Sequence, residues 1–376
     1  MLLHVYRLGD AIGYYSGGVK YSKMIWDLDF SFLTPAYGDT RMWGTPMMKY
    51  ISGFLITVIG PTMRGEFLLF SFLSLVGLCL IIRTYAGNYS NQGLKEYALL
   101  LLVWPSLVYW PSSVGKDALV LLGTGIVIYA YASRPGRIRW VTLLFGLALT
   151  SLIRPHVSGV LIVSIAAAHW LAGVRHWNVG RVVQGIMILL LGILLLYKGF
   201  SDLKIDADFE GIEEFVEERS FHSTQGGGAV ETPGLGVSQF PLAIVNVLFR
   251  PFPWEAGTPT YAAAFLDMYA FWFLAIYRRR RVMELLKEWR SHQLLRMAIP
   301  FVLLYIMMLG VAVGNLGIIA RQRIMVMPFL FLFLYAVPSK TAHQQPESGI
   351  QPRRKILGPV VLTTRKSVSF PRRPDR

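Results

Sequence analysis

Cysteine is nearly missing from this chain. Cys79 is the single one in 376 residues, so an intrachain disulfide and a cysteine metal cluster are both excluded, and redox chemistry with them. Charge is scarce as well: charged residues fill 16% of positions against 54% hydrophobic ones, and the mean hydropathy is +0.46. That balance is too apolar for an ordinary soluble domain and fits a polytopic membrane protein. Nucleotide-handling motifs are lacking too. The sequence has no Walker loop, dinucleotide fingerprint, His-Glu-x-x-His helix or Gly-x-Ser-x-Gly elbow, so soluble nucleotide chemistry has no support.

What charge there is leans positive, with 37 Lys and Arg against 22 Asp and Glu, a formal net of +15. These bases sit in short runs between apolar segments, the pattern of cytoplasmic loops in membrane proteins, so they report orientation and not a nucleic-acid partner.

Apolar runs over 66–82, 97–110, 118–132, 140–153, 156–173, 182–197, 260–277, 297–313 and 324–337 predict an all-α, polytopic transmembrane helical bundle of about nine spans. With these spans, Arg83 to Lys95, Arg134 to Arg139, Arg175 to Arg181, Arg278 to Arg290 and the basic tail all fall on one side, the cytoplasm. The other side receives 1–65, the Pro111 to Lys116 turn, Arg154 to His156, the long loop 198–259 and Asn315 to Arg323. Three regions result: an exterior N-terminal segment 1–65 with an interfacial helix, a transmembrane helical domain 66–337 that includes the exterior loop, and a disordered basic cytoplasmic tail 338–376. Residues 47–62 are short of a full span and read as interfacial or re-entrant. Were they to span, Asp10 would be separated from the other exterior residues. The short apolar start before Asp10 leaves two options, an exterior N-terminus or a missing upstream helix.

The first half of the long loop, 198–231, holds nine acids against three bases, and Phe209, Ile212, Phe215 and Val216 follow helical spacing behind Asp206 and Asp208. This predicts a short amphipathic helix, and a loop of such length is a candidate lid. The tail carries nine bases against two acids with no apolar periodicity, which suits disorder beside anionic lipid.

The charged breaks between spans are the candidate chemistry. In Arg154-Pro155-His156 the guanidinium offers forked donors matched to phosphate oxygens, with His156 beside it. The alternative is an interfacial arginine next to a helix-breaking proline. Arg321 and Arg323 interrupt an apolar stretch on the exterior side, against the usual charge bias, so an anionic headgroup or the acidic loop should neutralise them. Lys116 heads a span after Trp104, Tyr109 and Trp110; adjacent residues on a helix do not face each other, so it need not pair with Asp117 and is free to reach a phosphate. In Phe249-Arg250-Pro251-Phe252-Pro253-Trp254-Glu255 the prolines stiffen the backbone that presents Arg250 and Glu255, either to a headgroup or sugar or as interfacial anchors. Asp10 sits among Gly9, Gly13, Tyr14 and Tyr15, where a carboxylate beside a bound hydroxyl acts as general base. Asp27 and Asp29 are candidates to join it around a divalent cation. No other cofactor and no resident metal site is assigned.

Gly9-Asp10-Ala11 followed by Tyr14-Tyr15, then a helix started near Arg64-Gly65-Glu66, resembles the first exterior loop of membrane glycosyltransferases of the GT-C fold. The remaining breaks look like those of bacterial polysaccharide-assembly membrane proteins such as O-antigen polymerases. The resemblance implies an integral inner (plasma) membrane glycosyltransferase or saccharide polymerase that uses polyprenyl-linked saccharide donors, with Asp10 as catalytic base. Two features depart from it: no helix precedes the acid, and the acid is a lone Asp where many members carry an Asp-Glu pair. On this expectation Lys116, Arg154 and Arg321 or Arg323 hold the phosphate leaving group, His156, Arg250 and Glu255 also contact substrate, and the other partners are membrane lipids. The alternatives are a lipid-linked saccharide transporter or a non-catalytic assembly scaffold. The oligomeric state stays open.

Overall fold

A computed structural model describes residues 10–33, 44–133, 138–173 and 239–337, together with isolated positions 183, 185–187, 190, 229 and 230. Their architecture is all-helical. The principal helices are α1 (Asp10–Trp26), α2 (Thr45–Ile59), α3 (Met63–Asn88), α4 (Leu94–Val103), α5 (Pro105–Tyr109), α6 (Lys116–Ala132), α7 (Trp140–Ile153) and α8 (Pro155–Gly173). The last part of the expected exterior loop 198–259 holds a helix, α9 (Phe240–Leu248), and after it come α10 (Pro259–Tyr277), α11 (Arg279–Lys287), α12 (Gln293–Ala312), α13 (Leu316–Gln322) and α14 (Met327–Tyr335). The acidic loop helix, the span at 182–197 and the basic tail lie wholly or largely outside the described residues.

Among the described residues, helices α3, α8, α10 and α12 are long and apolar enough to cross a membrane, and up to six spans result if each of two bent pairs is counted as one. The apolar runs predict nine; of these, 182–197 lies largely outside the described residues, 140–153 forms a helix too short to span, and 97–110 is broken. The apolar run 97–110 is cut at Trp104-Pro105: proline has no N–H to donate, and Trp104 before it turns extended, with ψ at 126°. The chain then bends by 115° between 105–112 and 116–132, and by 54° between 316–325 and 327–335. Helices α2 and α7 are apolar but too short to span, in keeping with the interfacial or re-entrant reading of 47–62. Outward-facing side chains on the long helices are apolar: Leu68 on α3, Trp170 on α8 and Phe273 on α10 are 73%, 76% and 70% exposed. Hydrocarbon, not water, suits such a surface.

Inside, small residues set the packing, as they do where helices associate in lipid. A Cβ on Gly125 of α6 would stand 2.3 Å from the Gly77 carbonyl of α3, and one on Gly77 would stand 2.7 Å from the α6 backbone. On the opposite side of α6, Gly123 faces Thr150, and Gly146 of α7 faces Val127. Helix α6 is thereby clamped between α3 and α7, which fixes its first residues, Lys116 and Asp117, beside Arg154 at the end of α7. Helices α1 and α2 run in the same direction, Gly17 against Lys49, Gly18 against Ser52 and Tyr21 against Gly53. This register brings Asp10 and Thr45, the first residues of the two helices, to one end.

Candidate functional site

At that end of the helices Asp117 is fully buried. Its Oδ1 lies 2.8 Å from Arg154 Nη2, and its Oδ2 accepts a hydrogen bond from Arg321 Nε. One carboxylate thus holds two arginines from α7 and α13, elements far apart in sequence. Arg321 Nη1 also reaches Asp10 Oδ2 at 3.8 Å. Lys116 Nζ donates to Thr45 Oγ1 at 3.1 Å. The start of α2 is tied to the end of α7 by Gly44 N–H donating to the Leu152 carbonyl at 2.8 Å. The missing side chain of Gly115 leaves Arg321 its place, since a Cβ there would sit a tight 3.2 Å from Arg321 Nη2.

The burial is graded. Asp117 and Arg154 side chains are 1% and 8% exposed, Arg321 is 23% exposed, and Asp10 is 64% exposed at the mouth. Tyr14 is buried between them; burial first, and the Asp10 carboxylate second, push its hydroxyl up to about 12, against a hydrogen bond with Thr45 that acts the other way. It is therefore a neutral hydrogen-bonding group at any physiological pH. The Tyr305 hydroxyl, which donates to the Gln322 carbonyl at 3.3 Å, lies beside Arg154 from α12.

Three cations, Lys116, Arg154 and Arg321, face two carboxylates, so the cluster keeps one positive charge. Arg154 holds Asp117 through Nη2, and its Nη1 is a buried polar atom that makes no hydrogen bond among the described residues. A buried donor such as Arg154 Nη1 is costly unless something completes it. A group with several acceptor oxygens, entering past Asp10, would do so.

Of the residues expected from sequence, Asp10, Lys116, Arg154 and Arg321 are brought together. His156 is half-buried in the first turn of α8, two residues beyond Arg154. Arg250 and Glu255 are turned on each other: Arg250 Nε donates to Glu255 Oε1 at 2.9 Å, its Nη1 donates to Asn246 Oδ1 at 3.2 Å, and Glu255 Oε2 accepts the Phe252 N–H at 2.8 Å. Arg323 stands apart from the cluster. It is 2% exposed, and its guanidinium donates to the carbonyls of Val247 and Arg250, both at 2.9 Å, and of Ala264 at 3.3 Å. Those bonds spend its donors on the fold.

Asp27 and Asp29 do not join Asp10 around a cation. They follow the far end of α1, a helix of 17 residues, which is roughly 25 Å long at 1.5 Å per residue. Among the described residues no group of three His, Cys, Asp or Glu is placed to hold a metal ion.

Two participants were missed in the sequence. Asp117 had been read only as the neighbour of Lys116, although two exterior arginines need a counter-charge and Asp117 was a carboxylate at the same break. Asp267, half-way along α10, accepts from Ser106 Oγ at 2.9 Å and acts electrostatically on Arg323; an acid within an apolar helix was the signal. Further back in the long loop, Ala229 forms an antiparallel bridge with Asn315, in which Val230 N–H donates to the Gly314 carbonyl at 2.9 Å. Asn315 is also the cap of α13, its Oδ1 accepting from Gly317 and Ile318 N–H.

Compared with protein-family models, curated proteins and solved structures, the chain matches none.

Proposed function

We propose that this protein is an integral membrane glycosyltransferase or saccharide polymerase, acting on a polyprenyl-linked sugar at the extracytoplasmic face of the plasma membrane. The observation that carries the reading is the convergence of an exposed carboxylate, Asp10, with three cations of which Arg154 has a buried unsatisfied donor. An acceptor hydroxyl loses its proton to Asp10 as its oxygen bonds to the anomeric carbon of the donor. The bond from that carbon to the phosphate oxygen breaks, and the departing phosphate keeps the electron pair. Arg321, Arg154 and Lys116 stabilise that developing charge, which is where preorganised cations act most strongly. Ala229 and Val230 lie against Asn315 and Gly314, beside the start of the helix carrying Arg321. No nucleotide is required, in keeping with the missing motifs.

The second reading is a transporter of the same lipids. The 115° break ahead of Lys116 favours it, because discontinuous helices with charged ends form ion and substrate sites in transporters.

Mass spectrometry of lipid-linked saccharides separates the two in a deletion strain complemented with wild type or Asp10→Asn at matched protein levels. Failure of Asp10→Asn, with an incompletely built saccharide accumulating on its lipid, is the expected result and names the substrate. A wild-type profile from Asp10→Asn would remove the base and move the transporter or scaffold reading ahead.

A further inference from the structure

Away from the acid-base cluster, α10, α11, α12 and α14 line an open cavity of about 500 Å³, within the roughly 300–1,000 Å³ of typical ligand sites. Its walls are apolar: Trp272 and Ala275 from α10, Val302 from α12, Phe333 from α14, and Val282 and Met283 from α11. Arg279 is the one charged residue in the lining. Water gains little in such a space, because it offers almost no hydrogen-bonding partners.

The fourth wall, α11, is amphipathic. Leu285 is buried against the bundle, whereas Met283 and Leu286 are 54% and 44% exposed beside Arg280 and Lys287. A short helix with apolar side chains left uncovered next to bases is one that lies in a membrane surface. The run Arg278 to Arg290 holds six bases against Glu284 and Glu288. Arg278 lies over the Tyr335 ring at 4.5 Å and Arg281 pairs with Glu284 at 3.5 Å, while Arg279 donates only one exposed bond, to the Ile276 carbonyl at 3.3 Å. Arg280 is exposed. The cavity therefore combines an apolar interior with a cationic mouth at the helix surface.

We propose that this groove binds an anionic phospholipid, one acyl chain filling the cavity and the phosphodiester held at Arg279 and the adjoining basic run. Apolar walls alone would accept any lipid chain; the basic mouth selects for negative headgroups, each base near the surface adding to the attraction.

The test is native mass spectrometry of the delipidated full-length protein, offered phosphatidylglycerol and phosphatidylcholine with identical acyl chains. Wild type should retain phosphatidylglycerol in preference by about tenfold, the size that one or two surface bases supply. The double variant Arg279→Gln, Arg280→Gln should bring the two lipids close to parity. Ala275→Phe, which fills the cavity, should lower retention of both, and the milder Ala275→Leu should do so in part if the larger ring impairs folding. Equal retention of the two lipids by wild type would overturn the proposal. So would full phosphatidylglycerol binding by a folded Ala275 variant, since the headgroup would then be held on the surface with no chain in the groove.

Discussion

Arg321 and Arg323 are two residues apart and have opposite lives. Arg321 shares Asp117 with Arg154, extends to Asp10 and keeps 23% of its side chain open. Arg323 is sealed among the carbonyls of Val247, Arg250 and Ala264. Both are guanidinium groups in low-dielectric surroundings, so burial by itself does not separate a binding residue from a structural one. What separates them is the partner. An arginine sealed among fixed carbonyls has most of its donors spent, whereas one held by a carboxylate at a mouth can exchange part of its contact for a ligand anion.

The harshest way to probe that difference is Arg323→Ala. It strands three buried carbonyl acceptors and leaves Asp267 without the nearby cation. A loss of about 3–5 kcal/mol is expected, the cost of breaking a buried charged network. Fluorescence-detected gel filtration and thermal melting in detergent should show little folded protein. A well-folded Arg323→Ala with normal melting would place this arginine on the same footing as Arg321 and dissolve the comparison.

The sequence could not draw this line. It placed both arginines at one depth, because charge interrupting an apolar run is visible in one dimension. Two residues along an α-helix, however, is a rotation of roughly 200°, and which direction meets Asp117 is decided by packing: the clamp of Gly77, Gly123, Gly125 and Gly146 on α6. The same cause explains Asp117. It was legible as a helix-start acid, and only the arrival of α7 and α13 makes it a hub. Lys116, Arg154 and Arg321 were legible because each marks a helix break. Pro105 shows the converse, a break the apolar count passed over: proline stops α4 within a run that hydropathy alone joins into one span.

Arg321→Ala should do the reverse of Arg323→Ala. Asp117 keeps Arg154 at 2.8 Å but its buried Oδ2 loses the Arg321 hydrogen bond, so stability should fall by about 1–3 kcal/mol, the cost of leaving one buried acceptor unmet. Turnover in the complementation assay should drop by roughly 10²–10³, as for removal of one donor to a developing oxyanion. Arg321→Lys should recover a small part, because an ammonium lacks the fork that bridges Asp117 and a phosphate. Severe unfolding by Arg321→Ala would assign the residue to the scaffold instead.

The mildest contrast comes from Arg250 and Glu255, charged like the cluster yet closed on each other. Burial raises the Glu255 carboxyl, but hydrogen bonds from Arg250 and from the Phe252 N–H outweigh it and hold the group below the usual carboxylate value. A carboxylate depressed in the folded state stabilises it at pH above the unfolded value of about 4.3 and loses that contribution as pH falls through the lower folded value. Wild-type melting temperature should therefore decline below about pH 4.3 more steeply than that of Glu255→Gln, which has no proton to take up there. Because both side chains remain partly open to water, at 21% and 15%, the difference should stay within about 1 kcal/mol. Turnover near neutral pH should be unchanged in the variant if the pair is an anchor. A lowered turnover with unchanged melting would show instead that Arg250 and Glu255 release each other to meet a substrate, which would bring this second pair over to the side of Arg321.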